Sequence, residues 1–321
     1  MNTEEKIALI TRNADEVIGE ENLKETLKKK NLKAYVGYEP SGGIHLGHLV
    51  TMMKLLDFQK AGIKPIILLA NWHAWLNQKG SWEFIDEQME IWKKGMKAAG
   101  LTKAQFVKGT DFQTKKSYIN DVMTIGLNTT VTRGIRSMQT VARDIEHAKI
   151  SQLIYPLMQI VDIKALDISF VAAGMEQRKI HALAIETFQK INFTKKPIFI
   201  HTGLISSLKG GEKMSSSSPE SMISIRDSKS EIDRKIKKAH CPEGQTQNNP
   251  ILDITKLLIF PKFEKITIYR DAKFGGNIIY DNYNSLKNDF EKRALHPLDL
   301  KLAIADSLEK LIAPIRKAWK N

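Results

Sequence analysis

The sequence has little of several features that mark whole classes of protein. Its 321 residues include a single cysteine, Cys241, so we expect neither an internal disulfide nor a cysteine-rich zinc site, and a reducing compartment is indicated. The longest strongly apolar run, residues 65–70, is far shorter than the ~20 residues of a membrane-spanning helix. The acidic, polar N-terminus is unlike a signal peptide. We therefore expect a cytoplasmic protein with no membrane partner.

Acidic residues are fewer than basic ones. The chain contains 49 Lys and Arg against 36 Asp and Glu, which gives a formal net charge of +13 at pH 7. Because 42% of the residues are hydrophobic, the chain can form a sizeable core and is not a disordered basic segment. The basic surplus favours a polyanionic partner, such as a nucleic acid or the phosphates of a nucleotide, although a basic surface that is only solvated would carry the same charge.

Apolar runs with the length of strands alternate with helical patterns through the first two thirds of the chain. We predict helix for residues 4–30 and for most of 116–165. Alternation of this kind predicts an α/β fold with a doubly wound parallel sheet, in which ligands bind at the carboxyl ends of the strands. The predicted strands are residues 34–38, 65–70, 105–107, 168–171 and 198–200.

The pattern changes after about residue 226, where amphipathic helical stretches come to dominate and strand signals weaken. Residues 229–321 carry 18 Lys and Arg against 12 Asp and Glu, so both parts of the chain share the basic surplus. The predicted domains are residues 1–226, with a helical insertion at about 117–150 and a Gly- and Ser-rich loop at 210–218, and residues 227–321, which are mainly helical.

The first chemical motif is His45-Leu46-Gly47-His48, which follows a predicted strand and a glycine-rich loop and begins a predicted helix. The free N–H groups and positive dipole end of a helix N-terminus favour phosphate. His45 and His48 are three residues apart, so they share one helical face, and both can donate hydrogen bonds to a phosphate oxygen. Gly47 lets a flat base approach the backbone. A pair of capping histidines without a ligand would give the same pattern.

The second motif is Lys213-Met214-Ser215-Ser216-Ser217, preceded by two glycines. Glycine and serine favour a mobile loop, and Lys213 is a point charge suited to phosphate. By itself such a loop is more often a linker than a site. Taken together, in their order and spacing, the two motifs resemble the HIGH and KMSKS elements of the class I aminoacyl-tRNA synthetases.

A third group of residues concerns the choice of substrate. Tyr155, Gln159 and Asp162 share one face of a predicted helix, because steps of four and three residues bring side chains together. Asp162 stands among apolar residues, where a carboxylate is costly to bury without a partner. It therefore belongs either to a solvated face or helix cap, or to a pocket that reads a substrate hydroxyl. Residues 174–181 follow the next strand and would bring Gln177 to the same crevice.

Besides the two motifs, several segments spread over nearly the whole chain match one family: residues 35–42, 73–74, 155–162, 174–181, 241–244, 274–276 and 295–300. With them the sequence resembles the tyrosyl-tRNA synthetases of the archaeal and eukaryotic type. The resemblance implies a Rossmann-like catalytic domain, a helical anticodon-binding domain and a homodimer, whose contact surface we place on the predicted insertion.

The resemblance implies a two-step reaction in which ATP activates L-tyrosine to tyrosyl-adenylate, with release of pyrophosphate, before transfer to the 3′ end of tRNA(Tyr). Mg²⁺ would accompany the ATP, and no protein-bound structural metal is implied. The implied tyrosine site contains Tyr35 and Asp162 at the phenol, Tyr155, Gln159 and Gln177 at the ammonium group, and Gly37, His73 and Gln113. The implied ATP-binding and catalytic residues are His45, Gly47, His48, Lys213, Met214, Ser215 and Ser216. The implied tRNA contacts are Arg136 and Arg178 for the first acceptor base pair and Phe274, His296 and Asp299 for the anticodon.

Some residues depart from the family pattern. Ser218-Pro219 after the second motif is less typical, and Asn71-Trp72 and Trp75 stand where an acidic residue and smaller or phenolic side chains are expected. The bulky residues keep a tryptophanyl-tRNA synthetase as an alternative, although Tyr35 with Asp162 suits a phenol better than an indole.

Two more distant alternatives are a nucleotidylyltransferase that uses the first motif alone and an RNA-binding relative that has lost catalysis. The Lys213 loop and the basic C-terminal part disfavour the first alternative. The intact His45, His48 and Lys213 disfavour the second.

Overall fold

The computed structural model describes residues 1–139, 149–215 and 218–320, and the chain forms two compact units from interleaved segments. The predicted domain boundary after residue 226 divides the chain at a different place and stays a prediction. The first unit contains residues 1–41, 54–93 and 101–202, and the second contains residues 42–53, 94–100 and 203–321.

A six-stranded sheet lies in the first unit, and a two-stranded hairpin lies in the second. The sheet strands are β1 (Ala14–Ile18), β2 (Lys33–Tyr38), β3 (Lys64–Leu69), β4 (Gln105–Lys108), β5 (Phe170–Gly174) and β6 (Ile198–Thr202), and the hairpin strands are β7 (Ile266–Ile268) and β8 (Ile278–Tyr280).

Helices occupy most of the other described residues. They are α1 (Thr3–Thr11), α2 (Leu23–Leu27), α3 (Leu46–Lys60), α4 (Asn71–Leu76), α5 (Trp82–Ala98), α6 (Thr110–Gln113), α7 (Lys116–Leu127), α8 (Val131–Met138), α9 (Ile150–Ala165), α10 (Arg178–Thr187), α11 (Lys229–Lys238), α12 (Pro250–Ile254), α13 (Phe260–Phe263), α14 (Tyr283–Glu291) and α15 (Pro297–Lys320). None of the helices in the described part of the chain is both long and apolar enough to span a membrane.

The strand order of the sheet is β1-β6-β5-β2-β3-β4. Strands β6 to β4 pair in parallel, which confirms the predicted doubly wound sheet, and β1 pairs antiparallel with β6. From β2 the chain steps through β3 to β4 and then returns to β5 on the other side of β2. Because the strand order reverses between β2 and β5, ligands of such sheets bind in the crevice at the carboxyl ends of these two strands.

The prediction of helix throughout residues 4–30 is wrong for Ala14–Ile18, which form the edge strand β1. Helix α1 ends at Thr11, and Asn13 adopts a left-handed backbone conformation with φ of 57° that cannot continue it. The strand then pairs with β6, with Val17 opposite Ile200. The local sequence carries no strong strand pattern, so pairing with a neighbour far along the chain decides the conformation.

Helices α7, α9 and α10 pack against the sheet around a large apolar core in the first unit. Leu68 on β3, Val171 on β5 and Phe199 on β6 are at most 1% exposed, as are Ile160 and Ile163 on α9. This packing fixes α9 relative to β2 and β5, and α9 carries three of the residues predicted to bind tyrosine.

In the second unit, α11 packs on the long helix α15. Ile304, Leu308 and Ile312 of α15 recur every four residues and are fully buried, and Ile232 and Ile236 of α11 are buried as well. The amphipathic pattern seen in the sequence therefore corresponds to a packed helical face.

Candidate active site

Several elements of the first unit bring the residues of the predicted tyrosine site together. Tyr35 lies on β2, His73 on α4 and Gln113 at the end of α6. Tyr155, Gln159 and Asp162 lie on α9, and Gln177 lies in the short 3₁₀ turn that follows β5. Hydrogen bonds join these side chains into the separate groups described below, and the rings of His73 and Tyr155 pack edge to face with centroids 4.7 Å apart.

Asp162 is fully buried, and its two carboxylate oxygens differ in their surroundings. Oδ1 accepts hydrogen bonds from Nε2 of Gln113 and from the hydroxyl of Tyr118, both at 2.8 Å. Oδ2 has no hydrogen-bond partner among the described residues, and Nε2 of His73 lies 3.7 Å away. Because buried polar atoms are normally paired, the unpaired oxygen points to a ligand that supplies a hydrogen-bond donor.

Burial raises the pKa of Asp162 to about 7, although the hydrogen bonds from Gln113 and Tyr118 act in the opposite direction. Near neutral pH the carboxyl group is therefore close to its midpoint, and a bound donor at Oδ2 would favour the ionised form. The neighbouring ring of His73 stays neutral, since burial lowers its pKa to about 4.

Two glycines leave space for the polar side chains of this cluster. A Cβ atom on Gly37 would lie 2.7 Å from the hydroxyl oxygen of Tyr35, and one on Gly109 would lie 2.5 Å from Oε1 of Gln113. Both contacts are too short for any other residue type without a shift of its neighbour. Burial, and secondarily the charge of Asp162, raises the pKa of Tyr35, so its phenol keeps its proton and can donate.

A second polar group lies around Tyr155. Its hydroxyl donates a 2.6 Å hydrogen bond to Oε1 of Glu39, which also accepts from Nδ2 of Asn77 at 3.3 Å. Nε2 of Gln159 donates to Oε1 of Gln177 at 3.3 Å. The Tyr155 hydroxyl oxygen and Oε1 of Gln159 are therefore oriented as acceptors, which is what a substrate ammonium group requires.

Of the unusual residues at 71–75, Trp72 is partly buried and packs against the apolar core of the first unit. Asn71 is fully buried and pairs with Thr110 twice, accepting from its backbone N–H and donating to its hydroxyl, both at 3.1 Å. This pairing anchors the start of α6, the helix that presents Gln113. Trp75 is 44% exposed and stacks on Trp82 with ring centroids 5.4 Å apart.

The two histidines of the first motif lie in the second unit at the start of α3. The backbone N–H of His45 donates to Nδ1 of His48 at 3.2 Å, and the backbone N–H of Gly47 donates to Nδ1 of His45 at 3.1 Å. Burial lowers the pKa of His45 to about 4 and that of His48 well below its ordinary value. Each ring is therefore neutral with its proton on Nε2, so each presents an N–H donor.

Gly47 is required by its own motif, because a Cβ atom there would lie 2.8 Å from Cε1 of His45. Its predicted role in admitting the adenine base stays a prediction.

The second motif is held on the same unit. The backbone N–H of Met214 donates to the carbonyl of Ile205 at 2.8 Å, and Gly210 and Gly211 form the turn with φ of 82° and 80°. Lys213 is exposed, Ser215 is partly buried and the Met214 side chain is buried. Ser216 lies outside the described residues. The roles predicted for these residues stay predictions.

The segment after this loop runs beside the first motif. The N–H of Leu46 donates to the carbonyl of Ile223 at 3.0 Å, and the N–H of Ile225 donates to the carbonyl of Ile44 at 3.1 Å. These two backbone bonds connect the first motif to residues 223–225, which follow the second motif in the sequence.

The residues predicted to contact tRNA are on the surface in both units. Arg136 on α8 and Arg178 at the start of α10 are exposed. Phe274, 62% exposed, lies between β7 and β8, and Nζ of Lys273 is 5.0 Å from the centre of its ring. His296 and Asp299 lie at the start of α15, where the N–H of Leu298 donates to Nδ1 of His296. The contacts themselves stay predictions.

Tyr118 and Glu39 form hydrogen bonds with residues of the predicted tyrosine site, but the sequence-based prediction does not include them as site residues. Tyr118 donates to both Asp162 and the carbonyl of Met158, and Glu39 accepts from Tyr155. Tyr118 is one tyrosine in a long helical pattern, and no sequence signal separates it from a core residue. Glu39 follows the first strand directly, so its position at a carboxyl strand end is a usable signal.

Comparison with known proteins identifies the family of this chain. The chain matches the model of the family "tRNA synthetases class I (W and Y)" over residues 27–313. The tyrosine–tRNA ligase of Archaeoglobus fulgidus is 47% identical over 320 residues, covering 99% of this chain and 98% of that protein. The tyrosine–tRNA ligase of Methanocaldococcus jannaschii is 45% identical over 314 residues, covering 98% of this chain and 99% of that protein.

Solved structures give the same result. The crystal structure of the A. fulgidus tyrosyl-tRNA synthetase complexed with L-tyrosine matches with a TM-score of 0.95 at 46% identity, covering 99% of this chain and 100% of that chain. The L-tyrosine complex of the Pyrococcus horikoshii enzyme matches with a TM-score of 0.93 at 36% identity, covering 100% of this chain and 97% of that chain. The chain belongs to the class I tRNA synthetases of the tryptophan and tyrosine family, and within it to the tyrosine–tRNA ligases.

Proposed function

We propose that this protein activates L-tyrosine with ATP and transfers the tyrosyl group to the 3′ end of tRNA(Tyr). The observation that carries the proposal is the buried carboxylate of Asp162, which is held through one oxygen and unpaired at the other among the described residues. A phenol hydroxyl satisfies such an oxygen as a donor. An indole N–H could also donate, but the tyrosine–tRNA ligase relatives disfavour tryptophan.

The phenol of tyrosine would donate to Asp162 and accept from the hydroxyl of Tyr35. Phenylalanine would leave these two groups buried and unpaired, which costs binding energy that packing alone does not supply. The tyrosyl enzymes are themselves the established example of this effect, with discrimination against phenylalanine of about 10⁵. At the other end of the substrate, Tyr155, Gln159 and Gln177 would hold the ammonium group.

In the activation step the tyrosine carboxylate attacks the α-phosphorus of ATP, the bond to the β-phosphate oxygen breaks, and pyrophosphate leaves. No protein nucleophile is needed, so the chain contributes positioning and stabilisation of charge. The Nε2–H groups of His45 and His48 would donate to phosphate oxygens. The Lys213 ammonium would offset the charge of the leaving pyrophosphate, and the hydroxyls of Ser215 and Ser216 would donate hydrogen bonds to it. Mg²⁺ would enter with the ATP phosphates as part of the substrate.

In the transfer step a ribose hydroxyl at the 3′ end of the tRNA attacks the activated carbonyl, and AMP leaves. We assign acceptor-end contacts to Arg136 and Arg178, and anticodon contacts to Phe274, His296 and Asp299. The net charge of +13 suits an RNA partner, because phosphate contacts from basic residues position the nucleic acid. The predicted division into a catalytic domain and an anticodon-binding domain belongs to the same proposal, as does a cytoplasmic location.

We also propose a homodimer formed through α7 and the elements after it. Leu127 is 88% exposed and Ile150 is 77% exposed, and Met123 and Val131 are exposed as well. These four apolar side chains lie on α7, α8 and the first residue of α9, within or at the edge of the predicted insertion. An apolar surface of this kind marks an interface, and a twofold contact would cover it on both copies.

The proposed function is tested by amino-acid-dependent exchange of pyrophosphate into ATP. We expect exchange with tyrosine and none with phenylalanine or tryptophan. Exchange with tryptophan in place of tyrosine would contradict the tyrosine assignment. The absence of exchange with any amino acid, combined with retained tRNA binding, would point to an RNA-binding relative without catalysis.

A further inference from the structure

A chain of four polar side chains runs through the first unit, separate from the hydrogen bonds around Asp162. It begins at Arg178, whose Nε donates to the carboxylate of Glu16 at 2.8 and 2.9 Å and whose Nη2 lies 2.8 Å from Oε1. The same carboxylate is 2.8 Å from Nδ1 of His201, and Nε2 of His201 is 2.8 Å from Nδ1 of His181. His181 lies on α10, as Arg178 does, so the chain returns to the helix where it began.

The sheet register places Glu16 beside His201. The two residues are Cα partners in the antiparallel pairing of β1 with β6, next to an irregularity in that pairing between residues 14 and 16. Cross-strand partners bring their side chains within contact distance on one face of the sheet. The edge strand β1 therefore places the carboxylate of Glu16 beside Arg178, the first residue of α10.

The protonation of the two histidines follows from their partners. Burial lowers the pKa of His201, and burial together with His201 lowers that of His181 well below its ordinary value, so both rings are neutral. The carboxylate of Glu16 only accepts, which places the proton of His201 on Nδ1 and leaves Nε2 as the acceptor for Nδ1–H of His181. Every hydrogen bond in the chain then points toward Glu16, the residue that accepts from Arg178.

The buried end of the chain is unusual for a simple surface ion pair. His181 and His201 are at most 1% exposed, and Nε2 of His181 has no hydrogen-bond partner in the described part of the chain. Exposed Arg–Glu pairs contribute little to stability. Two buried histidines behind such a pair are poorly explained by stability, and are better explained by a need to orient the carboxylate.

The exposed end of this chain of hydrogen bonds is Arg178, whose side chain is 49% exposed. Glu16 engages Nε and Nη2 on one edge of the guanidinium, and Nη1 is not part of this pairing. Ordering a free arginine side chain costs rotamer entropy, so a guanidinium that is already held on one edge can bind a nucleic acid with its other edge at a smaller entropic cost.

We propose that Glu16, supported by the buried His201–His181 pair, is a positioning residue that orients Arg178 for the acceptor end of tRNA. This inference rests on the proposed contact between Arg178 and the first acceptor base pair. Glu16 itself would touch neither tyrosine nor ATP, so it would act on the RNA-dependent step alone.

The test compares Glu16→Gln with Glu186→Gln. Glu186 is a matched control, because it forms a two-point ion pair with Arg133, at 2.8 and 3.0 Å, and lies on the same helix as Arg178. We expect Glu16→Gln to raise the KM for tRNA on the order of tenfold, the loss expected when an oriented arginine contact is disturbed. Its tyrosine-dependent pyrophosphate exchange should match the wild type. Glu186→Gln should change neither.

A double-mutant cycle separates positioning from general destabilisation. Glu16→Gln should weaken tRNA binding in the wild type and have no further effect when Arg178→Ala is present. Discrimination against a tRNA with its first acceptor base pair exchanged should fall in both single variants. Additive effects, or an equal loss of pyrophosphate exchange, would overturn the inference. Because tRNA binding is measured directly, the cycle is informative even if the proposed ligase activity fails the exchange assay.

The histidine pair is tested by His201→Leu and His201→Asn, with melting temperature as the measure of folding. Asparagine can place a donor near the position of Nδ1, and leucine cannot. We expect the leucine variant to share the tRNA defect of Glu16→Gln and the asparagine variant to restore most of the affinity. Equal tRNA affinities of the two folded variants would show that the histidine does not act through Glu16.

Discussion

Gln113 donates a 2.8 Å hydrogen bond to Asp162 from a position 49 residues earlier in the chain. The bond joins α6, which begins beside the Asn71–Thr110 pairing, to α9, which the apolar core fixes against the sheet. The Gln113 amide donates to Oδ1 of Asp162 and thereby fixes the orientation of Oδ2. If Asp162 binds the substrate hydroxyl as proposed, recognition depends on Gln113 and Tyr118 as well as on Asp162 itself.

Replacement of Asp162 should increase the stability of the protein and weaken tyrosine binding. Its pKa is raised from 3.8 to about 7, so the folded state binds more protons than the unfolded state between these pH values, and the free energy of unfolding falls as pH rises through this range. Asp162→Asn removes this charge and should stabilise the protein by roughly 2–4 kcal/mol well above pH 7, and by less at pH 5.

The same Asp162→Asn variant should raise the KM for tyrosine strongly. Either an amide nitrogen, which cannot accept a hydrogen bond, or an uncharged amide oxygen would replace the free carboxylate oxygen. Thermal denaturation at pH 5 and pH 8, together with pyrophosphate exchange, measures both effects. A lower melting temperature at both pH values would contradict the account of a costly buried charge.

Loss of the Tyr118 hydroxyl should weaken tyrosine binding through Asp162. Tyr118→Phe removes a donor that favours the ionised carboxylate, so the pKa of Asp162 should rise and the acid limb of the pH dependence of tyrosine binding should move to higher pH. We expect a rise of about tenfold in the KM for tyrosine at pH 7. Tyr280→Phe is the matched control, since the Tyr280 hydroxyl donates to Asp289 at 2.8 Å in the other unit. An unshifted pH profile in Tyr118→Phe would exclude this coupling.

The histidines of the first motif should act as neutral donors. His45→Gln and His48→Gln should slow the rate of exchange by about 10²–10³, the usual effect of removing a donor to developing charge, with little change in the KM for tyrosine. Because the pKa of His45 is about 4, its titration should not limit activity between pH 5 and 8. If activity falls as the pH is lowered through 7, this pH dependence should persist in His45→Gln and be absent from the residual activity of Asp162→Asn. An acid limb that is lost with His45 would contradict this assignment.

The exposed apolar surface around α7 should be the dimer contact. Leu127→Glu places a charge on a side chain that is 88% exposed, and we expect it to convert the dimer to a monomer in sedimentation experiments. Leu302→Glu, on the exposed apolar Leu302 of α15 in the other unit, provides the comparison and should leave the dimer intact. A wild-type protein that sediments as a monomer at micromolar concentration would exclude the proposed homodimer.

Phe274 should contribute to RNA recognition by stacking. Phe274→Ala should raise the KM for tRNA by a factor of about 5–100, the range expected for one lost base–aromatic stack, and Phe274→Tyr should restore most of it. Pyrophosphate exchange does not involve tRNA, so it should be unchanged in both variants. An equal effect of the alanine and tyrosine variants would argue against stacking.

Some features of the fold and of the candidate site can be predicted from the sequence, and others cannot. The spacing of His45, His48 and Lys213, and the strand before each loop, indicate the class and fold without any structure, because they depend on neighbouring residues and on periodicity. The face shared by Tyr155, Gln159 and Asp162 is predictable for the same reason. The strand at 14–18 is not, since its pairing with β6 overrides its local preference.

The sequence by itself determined the class of enzyme, the alternation of strands and helices, and the placing of Tyr155, Gln159 and Asp162 on one helix. Only the tertiary structure decided which atoms of those side chains are engaged. Asp162 meets Tyr118 across 44 residues, and Arg178 meets Glu16 across 162. Helical and strand periods are set by the backbone within a few residues, whereas hydrogen bonds between distant residues depend on how the sheet order and the packed core bring the elements together.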